Sequence, residues 1–356
     1  MEFPINTTVS YLNGTTYTYP EFIFFSVGFS ILIVLAIIGN SLVLVAVART
    51  KKLQNVTNVF VVNLSVTDCL SSFGFLWSVP GMASTTPGYP LKSDGLCVAA
   101  AGLVYISVGC SVYTLVNIAL NRCILITRPK ETYQWLYTPK KIALMVLVSW
   151  FVPFCAIVVP PLCGVGDLGF DPESRTCSDV YTHPGAAAFD KVQFAVLYPA
   201  PLLVIIVSYI LIWRHVKQHF ANRRNTTINL QSTMQPLESG STPKPDATDT
   251  NVSSSQKPRE TSPRHCGSSH HLSRMRNDHL AITKNLFVVV VAFLVCYSPL
   301  CFMIVTKSSH RYHLYGALFL FASGCVNPFI YAAKHPHFRP VLRSMVRCRC
   351  STEAGG

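Results

Sequence analysis

A chain of 356 residues is long enough for two soluble domains of ordinary size, yet half of it is apolar and only 13% is charged. That leaves too little polar surface to meet water on every side, and with a mean hydropathy of +0.37 a bilayer must supply part of the solvent. The excess of 29 Lys+Arg over 16 Asp+Glu, +13 in all, would favour nucleic acid only if the basic residues shared one face of a soluble domain; they fall instead in the loops between apolar runs, so no nucleic acid partner is expected.

The first 21 residues are polar and carry two glycosylation sequons, at Asn6 and Asn13. They lack a basic stretch and cleavage site, so the first apolar run is expected to serve as an uncleaved signal anchor. Runs of roughly 20 uncharged residues mark helices that cross a hydrocarbon core about 30 Å thick, since a helix satisfies its own backbone there. Seven such runs occur, at 22–48, 59–79 (with one charge, Asp68), 97–120, 142–163, 192–213, 285–306 and 312–333. The fold expected is an all-α membrane protein, a seven-helix bundle.

Placing the amino terminus outside puts 24 Lys/Arg and 7 Asp/Glu in the cytoplasmic segments against 5 and 8 outside, as the positive-inside rule requires. Basic residues such as Arg49, Lys51 and Lys52 then face anionic inner-leaflet lipid. Most of the 13 cysteines lie in apolar runs, where Cys acts as a small hydrophobe. Cys97 and Cys177 both fall on the oxidising side and are placed for a tether; Cys163 is the competing partner. The stretch of about 221–275, rich in Ser, Thr, Pro, Asn and Gln, is expected to be a disordered third cytoplasmic loop. Its Arg223-Arg224-Asn225-Thr226 and Ser262-Pro263 strings read as ordinary polar linker rather than phosphosites. In the cytoplasmic tail at 334–356, Phe338, Val341, Leu342, Met345 and Val346 recur at helical spacing among Arg339, Arg343 and Arg347, as in a short interfacial eighth helix. Cys348 and Cys350 follow it as candidate palmitoylation sites.

Polar residues within the apolar runs are costly and point to function. Asp68 lies mid-span, where a carboxylate either binds a cation or takes up a proton, or is simply held by hydrogen bonds. On the third span Val104, Val108, Ser111, Leu115, Ile118 and Arg122 share one face, running from an outer pocket to a cytoplasmic arginine.

In order along the chain stand Gly39-Asn40, Leu64 with Asp68, Asn121-Arg122, Trp150, Pro201 and Tyr209, then Phe293, Cys296 and Pro299, and last Asn327-Pro328-Phe329-Ile330-Tyr331. This set resembles the rhodopsin-like (class A) G protein-coupled receptors across all seven spans. Within that class Lys51-Lys52-Leu53-Gln54-Asn55, Asn58-Val59-Phe60-Val61-Val62-Asn63-Leu64 and Asn121 look like the melatonin receptors and related invertebrate orphan receptors. The resemblance implies a plasma-membrane, multi-pass receptor with an extracellular amino terminus, not an enzyme. It implies coupling to a heterotrimeric G protein, taken as the inhibitory type, and partners in arrestin and a receptor kinase.

Departures from the family pattern bear on the ligand. Val104 replaces the Asp that binds ammonium groups in aminergic receptors, so an amine is not expected. Phe321 stands where opsins carry the retinal-binding Lys. Melatonin is not expected either, because Leu197 and Pro160 replace that subfamily's His and Asn. The pocket drawn from Val104, Tyr105, Val108, Gln193, Leu197, Tyr297, Leu300, Cys301, Ala317 and Phe321 is largely apolar and suits a small ligand with few polar groups. By resemblance Asn40, Asp68, Ser111, Ser323 and Asn327 form a polar network for an allosteric Na⁺, the only cofactor expected. Asn121, Arg122, Pro201, Tyr209, Phe293, Pro299, Pro328 and Tyr331 form the activation switch, with Val112 repacking beside them and Tyr297 replacing the usual Trp. Asn121 cannot pair with Arg122 as an Asp would, and His279 replaces an acidic residue of many relatives, so resting restraint is expected to be weak.

The rival classes are a seven-helix ion channel or transporter, which needs an intramembrane path of ionisable groups or paired repeats, and a membrane enzyme, which needs a nucleophile or metal motif. The runs hold only Asp68 and the marginal Arg122.

Overall fold

The structure is a computed structural model that describes residues 15–86, 88–180, 182–233, 287–300, 302 and 310–347, with side chains given except at 219–233. Helix α1, Tyr19–Arg49, starts where the Glu21 carboxylate accepts hydrogen bonds from the Thr18 backbone N–H (2.7 Å) and hydroxyl (2.9 Å), which ties down the first turn. A 3₁₀ turn at Lys51–Leu53 leads to α2, Val56–Leu76, whose N-cap Asn55 accepts from the Asn58 N–H. After the short α3 (Val79–Ala83) come α4 (Asp94–Thr127), α5 (Lys130–Leu136) and α6 (Pro139–Leu162). Strands β1 (Leu168–Asp171) and β2 (Thr176–Asp179) form an antiparallel hairpin, Leu168 opposite Asp179 and Asp171 opposite Thr176. Helices α7 (Ala186–Leu197), α8 (Pro199–Thr233), α9 (Phe287–Leu300), α10 (His313–Lys334) and α11 (Phe338–Val346) complete the order.

Among the described residues six helical stretches are long and apolar enough to cross a membrane, and α9 is a shorter apolar helix. They coincide with the seven runs in the sequence. Their outward faces are apolar as well: Leu147 and Phe151 on α6 and Leu203 on α8 are more than 60% exposed. A helix apolar all round is at home in lipid. Helix α4 lies at the centre, packed on α2, α6, α8 and both strands, while α1 packs on α2 and α10. Where α1 meets α10, a Cβ at Gly39 would stand 2.9 Å from the Pro328 ring; only a glycine allows that approach.

The fifth run is not one helix. Backbone φ/ψ of −121/−64 at Tyr198 separates α7 from α8, because Pro199 and Pro201 supply no N–H to continue the hydrogen-bond ladder. Helix α8 in turn extends to Thr233, so residues 221–233, expected to be disordered, are helical. No Gly or Pro interrupts the chain from 202 to 235, and extending an existing helix needs no new nucleus. The remainder of the expected loop, 234–275, lies outside the described residues, as do Asn6, Asn13, His279, Cys348 and Cys350.

Cys97 and Cys177 form a disulfide, Cα–Cα 5.1 Å, and Cys163 is free and exposed, which settles the choice of partner. The bridge holds the hairpin against α4. Arg175 ties it to the α2–α4 connection, Nε donating to the Gly81 carbonyl (2.8 Å) and Nη2 to that of Thr86 (2.9 Å). Within the hairpin, burial pushes the Asp171 carboxyl up, against hydrogen bonds from the Ser174 N–H and hydroxyl.

Candidate functional site

At the hairpin end of the bundle lies a cavity of about 140 Å³. Val104, Tyr105, Val108, Gln193, Leu197, Tyr297, Leu300, Ala317 and Phe321 all line it; Cys301, assigned with them from sequence, lies outside the described residues. Helical spacing gave Val104 and Val108 on α4, and the resemblance to the receptor family gave the rest. Neither found Phe75, Phe194, Tyr198, His313, Leu314 and Leu320, nor Ser174, Thr176, Cys177 and Ser178 of the hairpin, because the hairpin reaches the cavity through the disulfide rather than through any periodicity. The polar groups are few. Gln193 Nε2 is buried with no hydrogen-bond partner among the described residues, and the Tyr105 hydroxyl is turned away to donate to Asp179 Oδ1.

One wall continues inward as a column of rings. Phe194 stacks on Tyr198 (5.5 Å), Tyr198 on Tyr297 (5.0 Å) and Tyr297 on Phe293 (5.1 Å), with interplanar angles of 26°, 16° and 21°. Phe293 and Tyr297 belong to the main core with Val112, Ile205 and Tyr331, against which Tyr209 packs.

Directly below is a second cavity of about 20 Å³, lined by Asp68, Ser71, Ser72, Ser111, Ser323 and Gly324 and sharing Val108, Leu320 and Phe321 with the first. It holds roughly one water-sized body. Asn327 Nδ2 donates to Asp68 Oδ2 (2.9 Å), the Ser111 hydroxyl reaches Asp68 Oδ1 (3.4 Å), and Ser111 and Thr67 share a hydrogen bond (2.7 Å). Ser323 gives its proton to the Leu320 carbonyl, and Asn40 joins through the Gly324 carbonyl (3.0 Å). Sequence assigned Asn40, Asp68, Ser111, Ser323 and Asn327 to one network; only Ser111 and Asn327 touch the carboxylate. Thr67, Ser71 and Ser72 were missed, although each stands within one helical turn of Asp68.

At the far end Arg122 is only 3% exposed. Its Nε and the hydroxyls of Tyr209 and Tyr331 are buried without hydrogen-bond partners among the described residues, an arrangement that costs about 1–3 kcal/mol per group. Asn121 does not face Arg122. Its Oδ1 accepts from the Thr57 hydroxyl (2.8 Å) and its Nδ2 donates to Tyr133 (3.2 Å). Thr57 and Tyr133 come from α2 and α5, whose meeting with α4 no sequence spacing reveals. Pro201 is buried on α8, Pro299 lies in the last turn of α9, and Pro328 lies within α10. Beyond α10, burial pushes the His335 imidazole down to about 3, His337 and Arg122 adding to the effect. Its Nδ1 accepts from the N–H groups of His337 and Phe338, both 3.3 Å, and Phe338 stacks on Tyr331 at 5.5 Å.

Among the described residues, six long apolar helical stretches and the shorter α9, with the arginine-tipped α4 at their centre and a hairpin tethered over one end, define a membrane receptor fold. The family model described as 7 transmembrane receptor (rhodopsin family) matches residues 39–331, and the chain belongs to that family. It is 24% identical over 90% of its length to G-protein coupled receptor moody of Drosophila pseudoobscura pseudoobscura, and 27% identical over 90% to melatonin receptor type 1A of Ovis aries; it covers 51% and 76% of these proteins. The chain thus spans about half the length of the moody receptors it matches. The crystal structure of squid rhodopsin superposes with a TM-score of 0.72 over 96% of this chain and 89% of that one, at 17% identity, a likeness of fold.

Proposed function

We propose that the chain is a G protein-coupled receptor whose hairpin end faces outside and takes a compact, largely apolar, non-amine ligand. The carrying observation is that the ligand cavity and the Asp68 cavity share Val108, Leu320 and Phe321, so a molecule seated in the first presses on the walls of the second. The first cavity is lined mainly by apolar and aromatic side chains, with Gln193 offering an amide N–H to one acceptor. A ligand that fits one arrangement of the bundle better than another shifts the population between them. Tyr297 carries that preference along the ring column to Phe293 and Val112, and α9 pivots at Pro299, where a backbone hydrogen bond is lost.

The oxygens of Asp68, Ser71, Ser72, Ser111 and Ser323 around a one-water cavity fit a small hard cation, and this donor set favours oxygen-seeking ions. Asp68 with Ser111 and Ser323 would hold Na⁺, which would supply a charge that neutralises the carboxylate in the resting arrangement. At the inner end Arg122 Nε and the hydroxyls of Tyr209 and Tyr331 lack hydrogen-bond partners among the described residues. A G protein segment entering there would offer carbonyls to these donors. The inhibitory class of G protein is what the family resemblance implies, and arrestin and a receptor kinase would use the same face.

The test is a screen of lipids, indoles, peptides and permanently charged amines on cells expressing the chain, read by G protein subtype sensors. A hit whose potency falls at least tenfold in Gln193→Ala or Tyr297→Ala is expected; hits confined to permanently charged amines would refute the ligand class.

A further inference from the structure

The residues that lead into α1 fall in the polar stretch before the first apolar run, yet 15–18 are built into the bundle. Tyr17 is 1% exposed. Its ring meets Phe22 (5.6 Å) and Phe25 (5.5 Å) edge to face, and its hydroxyl accepts from the Leu314 N–H (3.0 Å). Leu314 is the second residue of α10, and the first N–H groups of a helix have no acceptor within it, so Tyr17 satisfies one of them from another element. Beside Tyr17, the Thr16 N–H donates to the Glu173 carbonyl in the hairpin turn (3.5 Å). Glu21, which caps α1 through Thr18, also pairs with Arg311 just ahead of α10 (3.3 Å). That ion pair is open to water and weak for that reason; Tyr17 is shielded, so the join between α1 and α10 at this end rests on Tyr17.

The rings continue from Tyr17 to the first cavity. Phe25 lies 6.4 Å from Phe29, and Phe29 lies 5.7 Å from Phe321 and 4.4 Å from Phe75. Tyr17, Phe25 and Phe29 form one buried cluster with Phe75, Val104, Leu314 and Phe321, and these last four line the cavity. A close-packed interior passes a displacement on to its neighbours. We infer that Tyr17 is a positioning residue for the ligand site: its hydroxyl fixes the start of α10, and its ring, through Phe25 and Phe29, sets where Leu314 and Phe321 stand in the cavity wall. Tyr17 does not itself line the cavity; it acts through residues that do. This rests on the reading above in one respect only, that this cavity takes the ligand. The two parts of the side chain separate by substitution, since Tyr17→Phe keeps the ring and loses the acceptor, whereas Tyr17→Ala loses both.

The experiment uses the full chain in lipid nanodiscs and needs neither ligand nor G protein. Amide hydrogen exchange in the first turn of α10 is expected to quicken at least tenfold in Tyr17→Phe, with the last turn of α10 unchanged. For the cavity wall the probe is the nitrile stretch of 4-cyanophenylalanine, placed at Phe321 or, as a control, at Phe329, which is on the same helix but 61% exposed. The band at Phe321 is expected to shift in Tyr17→Ala and to hold in Tyr19→Phe, whose hydroxyl makes only a long contact with the Ala83 carbonyl (3.4 Å); the band at Phe329 should hold in both. If the label at Phe321 prevents folding, Phe75 takes it, and if Tyr17→Ala does not fold, Tyr17→Leu replaces it. An unmoved cavity band, equal shifts at the cavity and control positions, or unchanged exchange in Tyr17→Phe would overturn the proposal. A ligand screen that fails while these changes appear would count against the ligand reading alone.

Discussion

At the scale of single residues the decisive side chains are polar groups held in a low-dielectric interior, where a lost or gained partner matters most. Asp68 has one firm partner, Asn327, and a longer one, Ser111. Replacing Asp68 by Asn removes the charge and keeps the shape. If the carboxylate holds Na⁺, raising NaCl at constant ionic strength should suppress ligand-free nucleotide exchange in the wild type and leave Asp68→Asn unaffected; an unchanged salt response in the variant would remove the ion from the account. Much of this was legible because Asp68 and Ser111 are polar residues inside apolar runs. Asn121 was legible as an odd residue beside Arg122 but not as a partner of Thr57 and Tyr133, since hydrogen bonds between elements leave no trace in spacing.

Among elements, the hairpin and the α10–α11 joint lock the two ends of the bundle. The Cys97–Cys177 bridge spans 80 residues, and removing a native tether of this kind costs about 2–5 kcal/mol. Cys97→Ser should lower the thermal midpoint under non-reducing conditions and match reduced wild type; a midpoint equal to that of oxidised wild type would mean that the hairpin is held by Arg175 and its backbone bonds alone. At the other end His335 stays neutral in the fold, its imidazole at about 3, whereas unfolded His takes its proton near 6.5. Between those values the unfolded chain binds more protons, so this stabilisation is whole above pH 6.5 and shrinks as pH falls, by about 2 kcal/mol at pH 5. The drop in midpoint from pH 7 to pH 5 should be smaller in His335→Asn than in wild type; equal drops would show that His335 protonates freely. The hairpin itself was not legible: its strands are four residues each in a loop read only for its Cys. The break at Tyr198 was signalled by Pro199 and Pro201, and the extension of α8 to Thr233 by the absence of Gly and Pro, but composition weighed towards disorder.

For the whole molecule, seven apolar runs, basic loops between them and an ordered series of intramembrane polar residues like that of the receptor family were visible from the chain alone, and the bundle follows from them. The stacked cavities were not, because they are made by side chains from five helices and a hairpin meeting in space. They give the architecture its direction: a largely apolar cavity at one end, a ring column and a shared partition in the middle, and Arg122 Nε with the Tyr209 and Tyr331 hydroxyls, without hydrogen-bond partners among the described residues, at the other. With Asn121 engaged by Thr57 and Tyr133, Arg122 has no acidic neighbour in sequence to hold it at rest, so some signalling without ligand is expected. The most direct measurement is nucleotide exchange on purified heterotrimeric G proteins by the full chain in nanodiscs, first without ligand and then with compounds from the screen. Exchange above that of empty discs with at least one G protein class, abolished by Arg122→Ala, is the predicted result; exchange at the empty-disc rate for every class in both conditions would contradict it.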